Sequence, residues 1–165
     1  MDTKLVSTPI DQVQADALAV VLFEDRETPA DVKAVVASWL DELRTSSEFT
    51  GKPGELAILH QPKGLAAKRL VVVGGGKQEK FDAAALRRSV GATVRTLKQK
   101  GVKSLAWILN GASAEAAVEG ALLGNYEPDH HKTSTDNKSL ESLSVVGPVT
   151  LPVTLKDDVV RGTIL

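Results

Sequence analysis

The sequence predicts an α/β fold, a three-layer α/β/α sandwich in which helices cover both faces of a mixed sheet. Two observations predict it. Short and mostly continuous apolar runs recur along the chain, as in strands that are buried on both faces. Between several of these runs lie longer segments with the apolar spacing of helices. A length of 165 residues suits one domain of this kind.

The predicted strands are the short apolar runs. They cover residues 4–7, 17–23, 55–59, 69–73, 104–109 and 142–146. With the three helices described next, the predicted order is strand, strand, helix, strand, strand, helix, strand, helix, strand.

The first predicted helix covers residues 28–46. Thr28 can accept hydrogen bonds from the free N–H groups of the first turn, and Pro29 suits the first helical position. Steps of three and four residues place the apolar side chains in one stripe, formed by Val32, Val35, Val36, Trp39, Leu40 and Leu43.

The second predicted helix covers residues 82–101, with Asp82 as N-cap and Gly101 as its end. Gly91 inside this helix suggests a close approach to the sheet. The basic side chains are expected to face largely outward; they are Arg87, Arg88, Arg95 and Lys98.

The third predicted helix covers residues 113–126 and is capped by Ser113. Its apolar face consists of small residues and two larger aliphatic ones: Ala114, Ala117, Val118, Ala121 and Leu122. Such a face can pack closely on a neighbouring element.

Composition excludes several classes of protein. The formal net charge is −1 with basic and acidic residues interleaved, so no basic block is available for nucleic acid. Cysteine is absent, which excludes disulfides and thiolate nucleophiles. The longest apolar run, residues 17–23, is far shorter than the ~20 residues that span a bilayer. We therefore expect a soluble protein, and a cytoplasmic location is compatible with these features.

The segment LVVVGGGKQEKF, residues 70–81, raises the question of a phosphate-binding loop. A dinucleotide fingerprint would need a third glycine at position 79, where Glu79 would repel a pyrophosphate. A P-loop would need glycine in place of Val71 and a hydroxyl residue in place of Gln78. The residues favour a structural turn, and a ligand loop at 74–77 is the alternative.

No catalytic or metal-binding set is evident. Adjacent His130 and His131 lack the spacing of zinc ligands, with His60 the other histidine of the chain. No G-x-S-x-G nucleophile elbow occurs. The sequence therefore predicts no catalytic, cofactor-binding or metal-binding residue.

The C-terminal segment, residues 151–165, has helical spacing that stops while still apolar. Its stripe consists of Leu155, Val159, Val160 and Ile164. We expect a domain over residues 1–150, followed by the start of a linker helix that leads into a missing part.

Two stretches resemble the N-terminal domain of the cytosolic leucyl aminopeptidase family. The first, AAVEGALLGNYEPDHHKT at 116–133, is similar to the family's small-residue helix followed by a turn and Lys-Thr; its matching residues are Glu119, Gly120, Ala121, Leu122, Leu123, Tyr126, Lys132 and Thr133. The second, RLVVVGGGKQEKFDAAALRRSVGATVRTL at 69–97, resembles the family's strand, glycine turn and helix. The order of elements agrees over nearly the whole chain.

The resemblance implies a fold similar to macro domains and a glycine turn that is a structural connection. It also implies an accessory domain, with catalysis by a C-terminal domain that binds two divalent ions, zinc or manganese. No catalytic or metal residue carries over, because the family's signature is absent from this chain. The implied partners are the chain's own catalytic domain and the other subunits of a hexamer.

Two rival hypotheses remain open. The first is a macro-like module that binds ADP-ribose or a nucleotide through the loop at 74–77. The second is a small stand-alone α/β hydrolase whose site the sequence does not reveal.

Overall fold

A computed structural model describes residues 1–28, 30–109, 113–126 and 139–147, and for 30–37 the backbone alone. The strands and α-helices of these residues follow one another in the predicted order. They are β1 (Asp2–Val6), β2 (Ala17–Leu22), α1 (Ala30–Thr45), β3 (Leu56–His60), β4 (Arg69–Gly74), α2 (Ala83–Gln99), β5 (Ser104–Ile108), α3 (Ala114–Asn125) and β6 (Ser142–Val146).

The strands form one mixed sheet, as predicted, in the order β1-β6-β5-β2-β4-β3. All neighbouring pairs are parallel except β3 and β4, which are antiparallel. The central strand β2 is buried along its whole length. Its continuous apolar sequence follows from this position, because both of its faces contact the core.

Helices α2 and α3 cover one face of the sheet. Val71 and Trp107 point to this side and pack with Leu86 and Val90 of α2 and Val118 of α3. On the opposite face, a second apolar cluster contains α1 residues Leu40 and Leu43 with Leu18, Val20 and Phe49. The two clusters confirm the three-layer arrangement.

The contact between α2 and α3 depends on glycine. A Cβ on Gly124 would overlap the backbone of Gly91, and a Cβ on Gly120 would meet the Arg87 carbonyl oxygen at 2.5 Å. The expectation that Gly91 approaches the sheet is therefore wrong, because its close neighbour is α3. The predicted close packing of the α3 face is confirmed for its buried residues Ala114, Ala117, Val118 and Ala121, but it is wrong for Leu122, which is 37% exposed.

Lys98 also differs from the expectation. Its side chain is only 3% exposed, and its Nζ lies 3.4 Å from the carbonyl oxygen of Asn125, at the end of α3. A lysine at this position can place its ammonium near the negative end of the α3 dipole. Lys98 therefore joins α2 to α3 instead of facing solvent.

Several sequence predictions concern residues that lie outside the described part. These are Pro29, the side chains of Val32, Val35 and Val36, the pair His130 and His131, and the tail at 151–165. In the described residues, none of the helices combines the length and hydropathy needed to cross a bilayer.

Candidate functional site

A cleft lies at the carboxyl ends of β2 and β4. The chain leaves β2 toward α1 on one face of the sheet and leaves β4 toward α2 on the other. Such a switch point is where open α/β sheets commonly bind ligands. The cleft has a volume of about 550 Å³, which makes it the natural candidate for a binding site.

Charged side chains line the cleft unevenly. Three basic residues contribute to it, Lys77, Lys80 and Arg88, and Glu24 contributes one carboxylate. The ring of Phe81 also lines the cleft and meets the Phe23 ring edge to face, with a centroid distance of 5.3 Å. The surface could therefore attract an anion, provided that hydrogen-bond donors were free to hold it.

The glycine turn uses its donors within the protein. The N–H of Gly74 donates to the Glu55 carbonyl at 2.8 Å, and that of Gly75 donates to the Leu22 carbonyl at 2.9 Å. The N–H of Gly76 donates to the Gly51 carbonyl at 2.7 Å. These are the bonds of a structural turn, and they occupy the N–H groups that a phosphate-binding loop would present.

Steric crowding explains the three glycines. A Cβ on Gly74 would overlap the carbonyl oxygen of Lys52. A Cβ on Gly75 would lie 2.6 Å from the Phe23 ring and from a Val21 methyl group. Gly76 has a φ of 74°, in the left-handed region that favours glycine. Backbone packing therefore accounts for the glycines without a ligand.

Glu55 stabilises the loop at residues 50–52, in which the Gly51 carbonyl accepts the N–H of Gly76. Its carboxylate accepts hydrogen bonds from the Thr50 N–H at 2.9 Å, the Lys52 N–H at 2.8 Å and the Thr50 hydroxyl at 3.0 Å. Burial acts to raise the pKa of the Glu55 carboxyl, but these hydrogen bonds outweigh it, and the pKa lies below its ordinary value. Sequence reasoning placed Glu55 in a strand and missed this role, although the preceding Pro53-Gly54 pair indicated a turn.

The N-terminus of α2 is also occupied. Asp82 caps it, as predicted, by accepting the Ala85 N–H at 2.8 Å. A short 3-10 turn at Gln78–Lys80 separates the helix from the glycines, and the Gln78 N–H donates to the Asp25 carboxylate at 3.1 Å. The carboxylates of Asp82 and Asp25 thus accept two N–H groups that an anion at this helix end could otherwise bind.

A second polar cluster lies at the opposite end of the sheet, where the parallel strands β2 and β5 begin. The Asp16 carboxylate accepts the N–H groups of Lys103 at 2.8 Å and Ser104 at 3.2 Å. The Nζ atom of Lys68 lies 3.5 Å from the other carboxylate oxygen of Asp16. The Asp16 N–H donates to the Ser104 hydroxyl at 2.8 Å. Burial acts to raise the pKa of Asp16, but the hydrogen bonds and the Lys68 charge hold it below its ordinary value. This cluster joins the start of β2 to the start of β5.

The structure brings no catalytic constellation together from the residues it describes. Within them, no group of three His, Cys, Asp or Glu side chains is placed to hold a metal ion. His60 is exposed on β3, far along the chain from the other two histidines, which lie outside the described residues.

Comparisons with known proteins agree with one another. The sequence model described as the cytosol aminopeptidase family, N-terminal domain, matches residues 19–135. A probable cytosol aminopeptidase of Solibacter usitatus is 42% identical over 170 residues and covers 100% of this chain but 33% of that protein. A second probable cytosol aminopeptidase, of Acidobacterium capsulatum, is 30% identical, and the alignment covers 90% of this chain and 33% of that protein. The chain thus spans about a third of the length of these curated relatives.

Solved structures show the same fold. A mutant of tomato leucine aminopeptidase superposes with a TM-score of 0.76 at 21% identity, covering 98% of this chain and 35% of that one. The bottromycin maturation enzyme BotP, in a complex with manganese, superposes with a TM-score of 0.59 at 22% identity. The match covers 89% of this chain and 28% of the BotP chain. Fold, sequence and coverage together lead to one conclusion: the chain belongs to the cytosol aminopeptidase family, of which it is the N-terminal domain.

Proposed function

We propose that this chain is a non-catalytic accessory domain of a metal-dependent leucyl aminopeptidase. It contributes to assembly and to active-site access, while the rest of the parent protein removes N-terminal amino acids from peptides. The observation that carries the proposal is coverage, because the whole chain aligns with only a third of a probable cytosol aminopeptidase.

The parent's chemistry belongs, in this proposal, to the part that this chain does not include. Two divalent ions, zinc or manganese, would there activate a water molecule and polarise the scissile carbonyl. The manganese complex of BotP supports this expectation, since that protein shares the fold. A homo-oligomer, by family resemblance a hexamer, and a cytoplasmic location complete the proposal.

The described polar groups support an accessory role. The carboxylates of Asp16, Glu55 and Asp82 accept backbone N–H groups at the ends of the sheet and of α2. The N–H groups of the glycine turn are bonded to carbonyls in the same way. These groups hold the fold together, and the N–H groups of Gly74, Gly75 and Gly76 are not available to a nucleotide.

A peptidase assay tests the proposal. The purified chain, the full-length parent and a parent that lacks residues 1–150 are assayed with a leucine chromogenic substrate and added manganese or zinc. We expect turnover by the full-length protein and none above blank by the chain alone. The truncated parent should show an altered KM or an altered oligomeric state.

Two outcomes would contradict the proposal. Turnover that follows the isolated chain through purification would make this domain catalytic. A truncated parent with unchanged kinetics and unchanged assembly would remove the accessory role.

A further inference from the structure

In the described part of the chain, the sheet ends on one side in an apolar edge strand. Among the described residues, strand β3, with the sequence LAILH, is the last strand of the sheet and pairs with β4 alone. Its side chains from Leu56 to Leu59 are half-buried, and that of His60 is exposed. Edge strands are usually protected from association by lysine, proline, a bulge or inward-pointing charge. Strand β3 carries no charged residue and no proline.

The opposite edge of the sheet shows the usual protection. Strand β1 carries Asp2 and Lys4, and both side chains are exposed. The same sheet therefore has one edge with charges on it and one edge without them. This difference indicates that the β3 edge is suited to contact with another strand.

The pattern of hydrogen bonds tells which groups of β3 face outward. The Gly74 N–H donates to the Glu55 carbonyl, and the Gln61 N–H donates to the Lys68 carbonyl. In an antiparallel pair such bonded positions alternate with unbonded ones. The N–H and C=O groups of Leu56, Ile58 and His60 therefore point away from β4, and within the described part no other strand accepts them.

These outward groups are placed symmetrically about Ile58. A second copy related by a twofold axis at Ile58 would lie antiparallel, with Leu56 of each copy opposite His60 of the other. Every outward N–H would then meet an outward carbonyl, and Ile58 would lie opposite Ile58 of the second copy. Leu56 faces His60 and Ile58 faces Ile58, so this pairing places no two like charges directly opposite each other.

We propose that β3 is a self-association surface, through which two copies of this chain join their sheets by antiparallel β3–β3 pairing. The contact is small beside the roughly 800 Å² per partner of a standard interface, so we expect a weak dimer for the isolated chain. This inference deepens the assembly role proposed above. Its test needs only this chain, so its failure is separate from failure of the peptidase assay.

Sedimentation equilibrium from micromolar to millimolar concentration gives the first measurement. We expect the apparent mass to rise toward twice that of the chain, and the association to change little with salt because no ion pair is involved. Hydrogen exchange gives the second. The amides of Leu56, Ile58 and His60 should exchange fast in dilute solution and slowly in concentrated solution, whereas those of Ala57 and Leu59 should be protected in both.

A pair of proline variants provides the matched control. Ile58→Pro removes an outward N–H from β3, and proline is tolerated at sheet edges where the N–H faces solvent. Leu5→Pro makes the same change at the β1 edge, and Leu5 packs partly on the same apolar cluster as Ile58. We expect Ile58→Pro to be monomeric and Leu5→Pro to associate like the unchanged chain.

A chain that stays monomeric throughout this range would overturn the proposal. A dimer without added protection at Leu56, Ile58 and His60 would overturn it as well. The exchange measurement decides the matter even where Ile58→Pro does not fold.

Discussion

At the scale of single residues, the polar side chains act mainly on the backbone. The Asp16 carboxylate accepts the N–H groups of Lys103 and Ser104, and the Glu55 carboxylate accepts those of Thr50 and Lys52. Charge-assisted hydrogen bonds of this kind contribute about 1.5–3 kcal/mol, more than an exposed ion pair does. The carboxylates therefore matter for stability more than the Lys68 charge beside Asp16.

Asp16 predicts a dependence of stability on pH. Its pKa is lower in the folded protein than the ordinary 3.8, so its contribution is present above the unfolded pKa and is lost as the pH falls through the folded pKa. We expect the free energy of unfolding to fall as the pH decreases from about 5. Asp16→Asn should cost about 1–3 kcal/mol at neutral pH and flatten this dependence. Urea unfolding at several pH values measures both, and an equally steep dependence in the variant would count against this role.

Alanine substitutions at Gly74 and Gly54 should differ in their cost to stability. In Gly74→Ala the new methyl group meets the Lys52 carbonyl oxygen, a backbone atom that cannot move without the loop. We expect a loss of about 3 kcal/mol or more. Gly54→Ala is the control, because Gly54 has a φ of 89° but no atom within 4 Å, and its cost should be the backbone strain of about 1–2 kcal/mol. Equal losses in thermal unfolding would show that crowding is unimportant.

At the scale of elements, the closest contact is that between α2 and α3. Glycines at the contact have no side chain to separate the two helix backbones, and the Lys98 ammonium donates to the Asn125 carbonyl at the end of α3. The hydrophobic face of α3 is correspondingly small, so its stability depends on close approach more than on large apolar side chains.

Gly124→Ala tests this contact. Its Cβ would overlap the backbone of Gly91, so the helices must move apart at a cost of about 1–3 kcal/mol. Leu123→Ala on the neighbouring position is the control, because that side chain is 68% exposed and its loss should change stability by no more than about 0.5 kcal/mol. Chemical denaturation compares the two, and a smaller loss for Gly124→Ala than for the control would contradict the close packing.

At the scale of the whole molecule, the sheet has two different edges and two different ends. The carboxyl end carries the cleft, where the glycine N–H groups are already bonded, and the amino end carries the Asp16 cluster. Family membership follows from agreement along the chain with cytosol aminopeptidases and from the shared fold. The accessory function is a proposal, and the peptidase assay above is its test at this scale.

The order of strands and helices was predictable because each element has its own local pattern. Strands β2 and β4 are uniform apolar runs, and α2 repeats its apolar residues with helical period between Asp82 and Gly101. A uniform apolar run and a helical repeat both depend on which sides of one element are buried. Residues that are close together in the sequence are enough to reveal either pattern.

Other features were decided by contacts between residues that are distant along the chain. The antiparallel pairing of β3, the partner of Gly91, the burial of Lys98 and the acceptors of the glycine N–H groups all belong to this class. A glycine or a lysine looks the same in the sequence whether its neighbour is solvent, sheet or helix. Only the packed chain determines which backbone comes within contact distance, and so only the tertiary structure identified the carbonyl groups that accept the glycine N–H groups.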